Sequence, residues 1–276
     1  MRNGIHMNIL VCIKQVPDTT EIRIDPVNNT LIRDGVPSIV NTYDLYALEA
    51  AARIKDEFGS THITVLTMGP ESAENALREC LAVAADDAYL VSGKEFSGSD
   101  TMATSQVLAA AIKHIESIEG NSFDAVFCGK QAIDGDTAQV GPELAENLDL
   151  PQITSAESVV IEDGKLIVIR ETQNRTLKMK SKLPCLITFT KPMYVPRAAT
   201  IKRKMAARKA EIKRLSLDDL TVLGQEMIGL KGSPTRVVST SVPKNNRKSI
   251  MLNGADLKET AGKLIQILNE TRAIRG

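Results

Sequence analysis

The sequence predicts an α/β fold, a doubly wound parallel sheet followed by a C-terminal arm. Three observations carry that prediction. Asn8–Ile13 is a continuous apolar run, the mark of a strand covered on both faces. Three further short strand-like runs, His62–Met68, Ala88–Val91 and Ala125–Cys128, each follow a longer stretch of helical periodicity. The resulting order, β-α-β-α-β-α-β-α, is that of a parallel sheet with right-handed crossovers.

The elements follow in order. Lys14–Asp18 ends the first strand. Residues 21–25 and 30–33 alternate around the turn 25–29, the pattern of a surface hairpin. Asn41 is placed to cap a helix running through Tyr43, Tyr46, Leu48, Ala51, Ala52 and Ile54 and stopping at Gly59. Gly69-Pro70 turns the chain after the second strand, and Ser72 opens a helix to about Ala84. Residues 96–101 lead into a helix ending near Glu119. After Pro151 the pattern changes. Residues 158–162, 166–169 and 175–179 read as an antiparallel meander with an Asp163-Gly164 turn, and Cys185–Phe189 as another core strand. A basic helix is expected from Ile201 to about Arg214. From Leu215 the chain is sparse in core residues until Leu257, Ala261, Leu264, Ile265 and Leu268, an amphipathic helix. The expected division is a nucleotide-binding domain over residues 1–214 and an arm over 215–276 that packs on another subunit.

The stretch 129–142, Gly-Lys-Gln-Ala-Ile-Asp-Gly-Asp-Thr-Ala-Gln-Val-Gly-Pro, joins the fourth strand to a helix over 143–148. Such turns face ligands, because free backbone N–H groups and the positive end of the helix dipole converge there. Gly129, Gly135 and Gly141 remove side chains where a ligand would approach the backbone. Asp134, Asp136, Thr137 and Gln139 supply acceptors and donors for ribose hydroxyls and an adenine edge; otherwise Thr137 or Asp136 merely caps the helix. Pro142 lacks an N–H, so the first turn is expected to be open. In doubly wound sheets ligands bind beyond the carboxyl ends of the strands. That edge collects Lys14–Asp18, Met68–Pro70, Ser97–Thr101, Gly129–Thr137 and Asn41. This is a Rossmann-like, adenine-nucleotide-binding arrangement without G-x-G-x-x-G or a P-loop.

Composition narrows the function. The 276 residues are 43% hydrophobic and 25% charged, enough for one large domain with an extension. The net charge of +0 supplies no field to recruit nucleic acid or acidic membranes. Trp is absent and aromatics are 3%, which argues against base-stacking platforms. Cys12, Cys80, Cys128 and Cys185 are far apart; Cys12 and Cys128 sit in apolar strands and read as buried thiols. No apolar run approaches membrane-spanning length and no signal peptide is evident, so a cytoplasmic protein is expected, with Met7 an alternative start. His6, His62 and His114 read as structural or solvated, and neither a metal cluster nor an acid–base–nucleophile set is present in the pattern. A nucleotide pocket without its own reactive groups fits a protein whose chemistry belongs to its cofactor.

At these residues the chain resembles the β subunit of electron transfer flavoproteins. The resemblance rests on residues 11–18, Val-Cys-Ile-Lys-Gln-Val-Pro-Asp; on 40–49, Val-Asn-Thr-Tyr-Asp-Leu-Tyr-Ala-Leu-Glu; and on 68–70, 129–142, 199–201 and 205–209. It implies a heterodimer with an α subunit that holds an electron-carrying FAD. It also implies a second adenine nucleotide in this chain, AMP in one branch or FAD in the electron-bifurcating branch. The contacts it implies fall on Cys12, Asn41, Thr42, Tyr43, Asp44, Met68, Gly129, Lys130, Gln131, Ala132, Ile133, Asp134, Gly135, Asp136, Thr137, Ala138, Gln139 and Val140. The sequence is similar to the bifurcating branch at residues 16–19, at 33–35 and at 99–105, Ser-Asp-Thr-Met-Ala-Thr-Ser. Asp100, Thr101 and Thr104 there begin a helix expected to suit a dinucleotide's pyrophosphate. The resemblance then implies anaerobic metabolism in which NADH reduces the FAD of this subunit. One electron would pass to an acyl-CoA or hydroxy-acid dehydrogenase and the other to ferredoxin or flavodoxin. It also implies that Ile201, with Met205, anchors the dehydrogenase inside a basic rim; the competing reading makes Ile201 the first inward residue of a helical stripe. Two departures are Thr42, where the family often has Pro, and Asp149, where it often has Gly. A stress-protein-like adenine nucleotide binder remains an alternative, although its Gly-x-x-Gly…Gly-Ser pattern is missing after Cys128. The basic run 202–214 is the sole argument for nucleic acid, and such runs are usually solvated faces.

Overall fold

The computed structural model describes residues 6–18, 23–24, 31–32, 37–192, 194–236, 238, 249–252, 256–271 and 273. Its elements are β1 Met7–Cys12, β2 Gln15–Pro17, β3 Arg23–Ile24, β4 Leu31–Ile32, β5 Ser38–Val40, α1 Thr42–Phe58, β6 Thr61–Met68, α2 Glu74–Val83, β7 Asp87–Val91, α3 Thr101–Glu119, β8 Ala125–Gly129 and α4 Val140–Asn147. Then come β9 Gln152–Glu162, β10 Lys165–Glu171, β11 Thr176–Ser181, β12 Cys185–Phe189, α5 Ile201–Lys209, β13 Lys213–Leu215, α6 Gly229–Gly232 and α7 Leu257–Glu270. The α/β doubly wound prediction holds.

One nine-stranded sheet runs β11-β10-β9-β12-β8-β1-β6-β7-β13. From β9 to β13 every neighbouring pair is parallel. The chain winds outward from β1 through β6 and β7, then returns to the other side of β1 as β8. The strand order therefore reverses between β1 and β8, and a crevice opens beyond their carboxyl ends.

The pleat explains why β1 is apolar throughout. Ile9 and Val11 face one core with α1 and α2, while Leu10 and Cys12 face a second core with α3 and α4. Gly59 ends α1 at φ 74, a left-handed position that glycine adopts without strain. The meander is antiparallel as expected, with both turn residues, Asp163 and Gly164, at positive φ. It extends the main sheet through the parallel pairing of β9 with β12.

Three differences from the sequence reading have physical reasons. Residues 15–17 form a short strand paired with β5, where a plain loop was expected. The basic helix stops at Lys209, and 213–215 join the sheet edge beside β7 because Ile212 and Leu215 are buried. Its carboxyl end is closed by Arg78 from α2, whose guanidinium donates to the Ala207, Arg208 and Ala210 carbonyls. Arg203 of α5 answers by donating to the Leu81 and Ala82 carbonyls at the end of α2. Finally, the boundary expected at 214/215 falls inside β13; contacts divide the chain into Met1–Val238 and Ser239–Gly276. The second unit carries α7, which begins at Leu257 with Asp256 capping the Lys258 N–H. Of the expected hairpin, β3 and β4 pair antiparallel; its turn at 25–29 and residues 33–35 lie outside the described residues.

Asp149 sits at φ 54 just beyond α4, so its substitution for glycine places a side chain in the left-handed region. Asp149→Gly is expected to raise stability by about 0.5–1 kcal/mol, read as a higher denaturant midpoint with an unchanged m-value. An equal or lower midpoint would show that the aspartate is not strained there.

Candidate functional site

A cavity of about 380 Å³ lies at the reversal point, beyond the carboxyl ends of β1 and β8. Of the residues singled out in the sequence, Cys12, Asn41, Asp44, Met68, Asp100, Thr101, Thr104, Gly129, Lys130, Gln131, Ala132, Gly135, Thr137, Ala138, Gln139 and Val140 line it. Elements distant in sequence thus meet at one place.

Asn41 and Asp44 organise that meeting. The Asp44 carboxylate accepts the Lys14 N–H at 2.7 Å, the Asn41 amide at 2.8 Å and the Gly129 N–H at 3.2 Å. It thereby joins the end of β1, the start of α1 and the end of β8. The Asn41 amide also donates to the Gln131 carbonyl at 2.9 Å and accepts the Ile133 N–H at 3.1 Å. Asn41 was expected to cap α1; it stands at the N-cap position, but its side chain makes no cap bond because it is committed to the central loop. Burial pushes the Asp44 carboxyl up to about 7, against the pull of its three N–H donors and of Lys14.

The central loop is held on itself. Asp134 pairs with Lys14 at 2.8 Å, and Gln131 donates to Asp136 at 2.7 Å. Asp134, Asp136 and Ile133 therefore brace the loop and are not among the lining residues; neither are Thr42 and Tyr43, whose ring packs edge-on against Tyr46 at 6.0 Å. The left-handed positions are Asp136 at φ 55 and Ala138 at φ 54, whereas Gly135 has ordinary φ and open space around it. Gly129 and Gly141 do not make room for a ligand, as the sequence suggested. A Cβ at Gly129 would fall 2.2 Å from the Asp44 Oδ1, and one at Gly141 would fall 2.5 Å from the Thr188 Cγ2. Pro142 lies within the first turn of α4, where its missing N–H has no intrahelical partner to lose. No side chain caps that turn: neither Thr137 nor Asp136 does so, and Val140 and Gly141 border the cavity.

A further wall is the start of α3. Asp100 Oδ1 accepts the Ala103 N–H at 3.1 Å, so the first turn is closed by its own carboxylate. The sequence expectation is that this helix start suits a dinucleotide's pyrophosphate. Thr101 donates to Glu143 Oε1 at 3.1 Å, and Glu143 Oε2 is buried with no partner. The sequence reading missed Ile13, Phe96, Leu108 and Cys128; Lys14, Gly98 and Ser99 belong to the loops it gathered at this edge, and Gly141 to the central loop. Strand alternation places Cys128 beside Cys12, but nothing local marks Phe96 or Leu108. All four cysteines are free and buried, and the hydrogen bond with Cys12, together with burial, holds the Cys128 thiol well above its ordinary range. Among the described residues no group of His, Cys, Asp and Glu could hold a metal, and no helix is long and apolar enough to cross a membrane. The arrangement offers an apolar floor for a flat ring, unspent backbone donors at α4, and the cations Lys14 and Lys130. That chemistry fits an adenine nucleotide.

Away from the cavity, Ile201 and Met205 are 80% and 61% exposed on α5. The reading of Ile201 as an inward core residue is therefore set aside for this chain; Ala207 is the buried residue of α5.

Asp44→Asn leaves one amide oxygen to serve three N–H donors, and is expected to cost about 1–3 kcal/mol. Because the folded carboxyl titrates near 7 and the free one near 3.8, its contribution is full below the lower value and is lost as pH rises through 7. Melting temperature against pH should therefore fall less steeply between those values in the variant than in the wild type. Parallel profiles would contradict the assignment.

Comparison with known proteins bears on the same residues. Residues 28–220 match the electron transfer flavoprotein domain. The chain is 50% identical over 269 residues to the electron transfer flavoprotein subunit beta of Thermoanaerobacterium thermosaccharolyticum, covering 97% of this chain and 100% of the relative. It is 45% identical over 268 residues to the caffeyl-CoA reductase-Etf complex subunit CarD of Acetobacterium woodii, covering 97% and 100%. Protein FixA of Azotobacter vinelandii is 46% identical over 245 residues, covering 88% and 86%. With most of its length matched, and with the cavity built from the segments that carry the match, the chain belongs to the electron transfer flavoprotein family.

Proposed function

We propose that this chain is the β subunit of a cytoplasmic, heterodimeric electron transfer flavoprotein of the bifurcating kind, with a second FAD in the cavity between β1 and β8. The observation that carries the nucleotide reading is the position of that cavity at the strand reversal, wrapped by a loop pinned through Asn41 and Asp44. The dinucleotide reading is supported by the cavity's lining, which extends beyond the central loop to Phe96, Leu108 and the start of α3. A relative named as a subunit of a caffeyl-CoA reductase–Etf complex supports an acyl-CoA-linked dehydrogenase as partner. When bound, the FAD would accept hydride from NADH and deliver electrons singly, toward the α-subunit FAD and the dehydrogenase on one side and ferredoxin or flavodoxin on the other. The chain's own residues bind and orient. The uncapped first turn of α4, with Lys14 and Lys130, would face the phosphates. The Thr101 hydroxyl oxygen would accept from a ligand hydroxyl, while Asp100 stays engaged by Ala103 and Thr235. The closed first turn of α3 favours a second reading, a structural AMP that leaves the Asp100 wall free of phosphate.

Extraction and chromatography of the gently purified αβ heterodimer separate the two, with two FAD per heterodimer expected. One FAD and one AMP would place the protein in the non-bifurcating branch. A complex without flavin absorbance would instead support a stress-protein-like binder.

The exposed Ile201 inside the rim of Lys202, Arg203 and Lys204 has the form of a partner anchor. Ile201→Ala is expected to weaken dehydrogenase binding by roughly 2 kcal/mol or more, with flavin content and melting temperature unchanged. Unaltered dehydrogenase affinity would remove the assignment.

A further inference from the structure

The start of α3 is held from behind by a segment the sequence placed in the arm. Asp100 is shared: Oδ1 closes the first turn of α3, while Oδ2 accepts both the N–H and the hydroxyl of Thr235, at 2.9 and 2.7 Å. The Asp100 N–H donates to the Ser233 hydroxyl at 2.8 Å, and that buried hydroxyl donates to the Gly229 carbonyl at 2.6 Å. The Gly229 N–H in turn donates to the Ser99 hydroxyl at 3.1 Å. The fit is close: a Cβ at Gly98 would lie 2.6 Å from Leu230, and one at Gly229 would lie 2.3 Å from the Glu95 carbonyl oxygen. Gly229 itself has φ 58, the conformation that lets the chain pass there.

We infer that Ser233 and Thr235 are positioning residues for the cavity, acting through Asp100 to hold the wall of Gly98 to Thr104 against a bound nucleotide. Neither lines the cavity. A wall held in place before binding loses less freedom on binding, so affinity depends on the brace. Linkage makes the effect reciprocal: a nucleotide that favours the ordered wall also favours the closed brace. The inference rests on the proposed nucleotide site.

The test uses the αβ heterodimer, stripped of the β-site nucleotide, with FAD and AMP as probes. Thr235→Val removes one of two bonds to Asp100 and is expected to weaken affinity roughly 5-fold, with the melting temperature of the stripped protein unchanged. Thr235→Ser keeps both donors and should restore wild-type affinity, which a loss of general packing would not. Backbone hydrogen exchange over 229–235 should slow when nucleotide is added to the wild type. Equal affinity of wild type and Thr235→Val, or exchange indifferent to nucleotide, overturns the inference while leaving the site intact. A wild-type heterodimer that binds neither FAD nor AMP overturns the nucleotide reading and this inference with it.

Discussion

The site depends on one buried carboxylate. Asp44 gathers N–H donors from the end of β1, the start of α1 and the end of β8, three segments that no local interaction brings together. With the Asn41 amide it converts a strand-reversal crevice, which any doubly wound sheet possesses, into a cavity of defined shape. Both Asp44 oxygens accept hydrogen bonds, yet burial still outweighs them and raises the carboxyl to about 7. The close approach of Gly129 follows from the same constraint, since any side chain there would displace Asp44.

Around that anchor the walls are built by different means. The central loop bends through left-handed positions at Asp136 and Ala138, with no glycine at either. Such conformations persist where surrounding contacts over-determine them, and the Gln131–Asp136 and Lys14–Asp134 contacts supply that restraint. The α3 wall is ordered by Asp100, which spends both oxygens on protein donors. The first turn of α4 therefore has no side-chain cap, whereas the Asp100 carboxylate at the start of α3 is already satisfied by protein donors.

The surface of α5 follows the same logic of distant support. Arg78 and Arg203 exchange bonds with the carbonyl ends of each other's helices, so α5 is fixed on α2 while Ile201 and Met205 stay exposed. The apolar exposure is thus a stable feature of the fold, separate from the cavity.

The sequence alone determined the alternating strands and helices, the parallel class and the Asp163-Gly164 turn. Each is a matter of local periodicity or of turn residues adjacent in the chain. It also marked most of the cavity lining, because those residues cluster in a few motifs at strand ends. Tertiary structure alone decided the roles within that set. It turned the Asn41 side chain from the helix cap to the loop, and made Gly129 and Gly141 packing positions. It ended α5 at Lys209 so that β13 could join the sheet, and brought Ser233 and Thr235 behind α3. Each of these is a contact across many residues, set by which surfaces meet when the sheet closes, and no spacing within the chain encodes such a meeting.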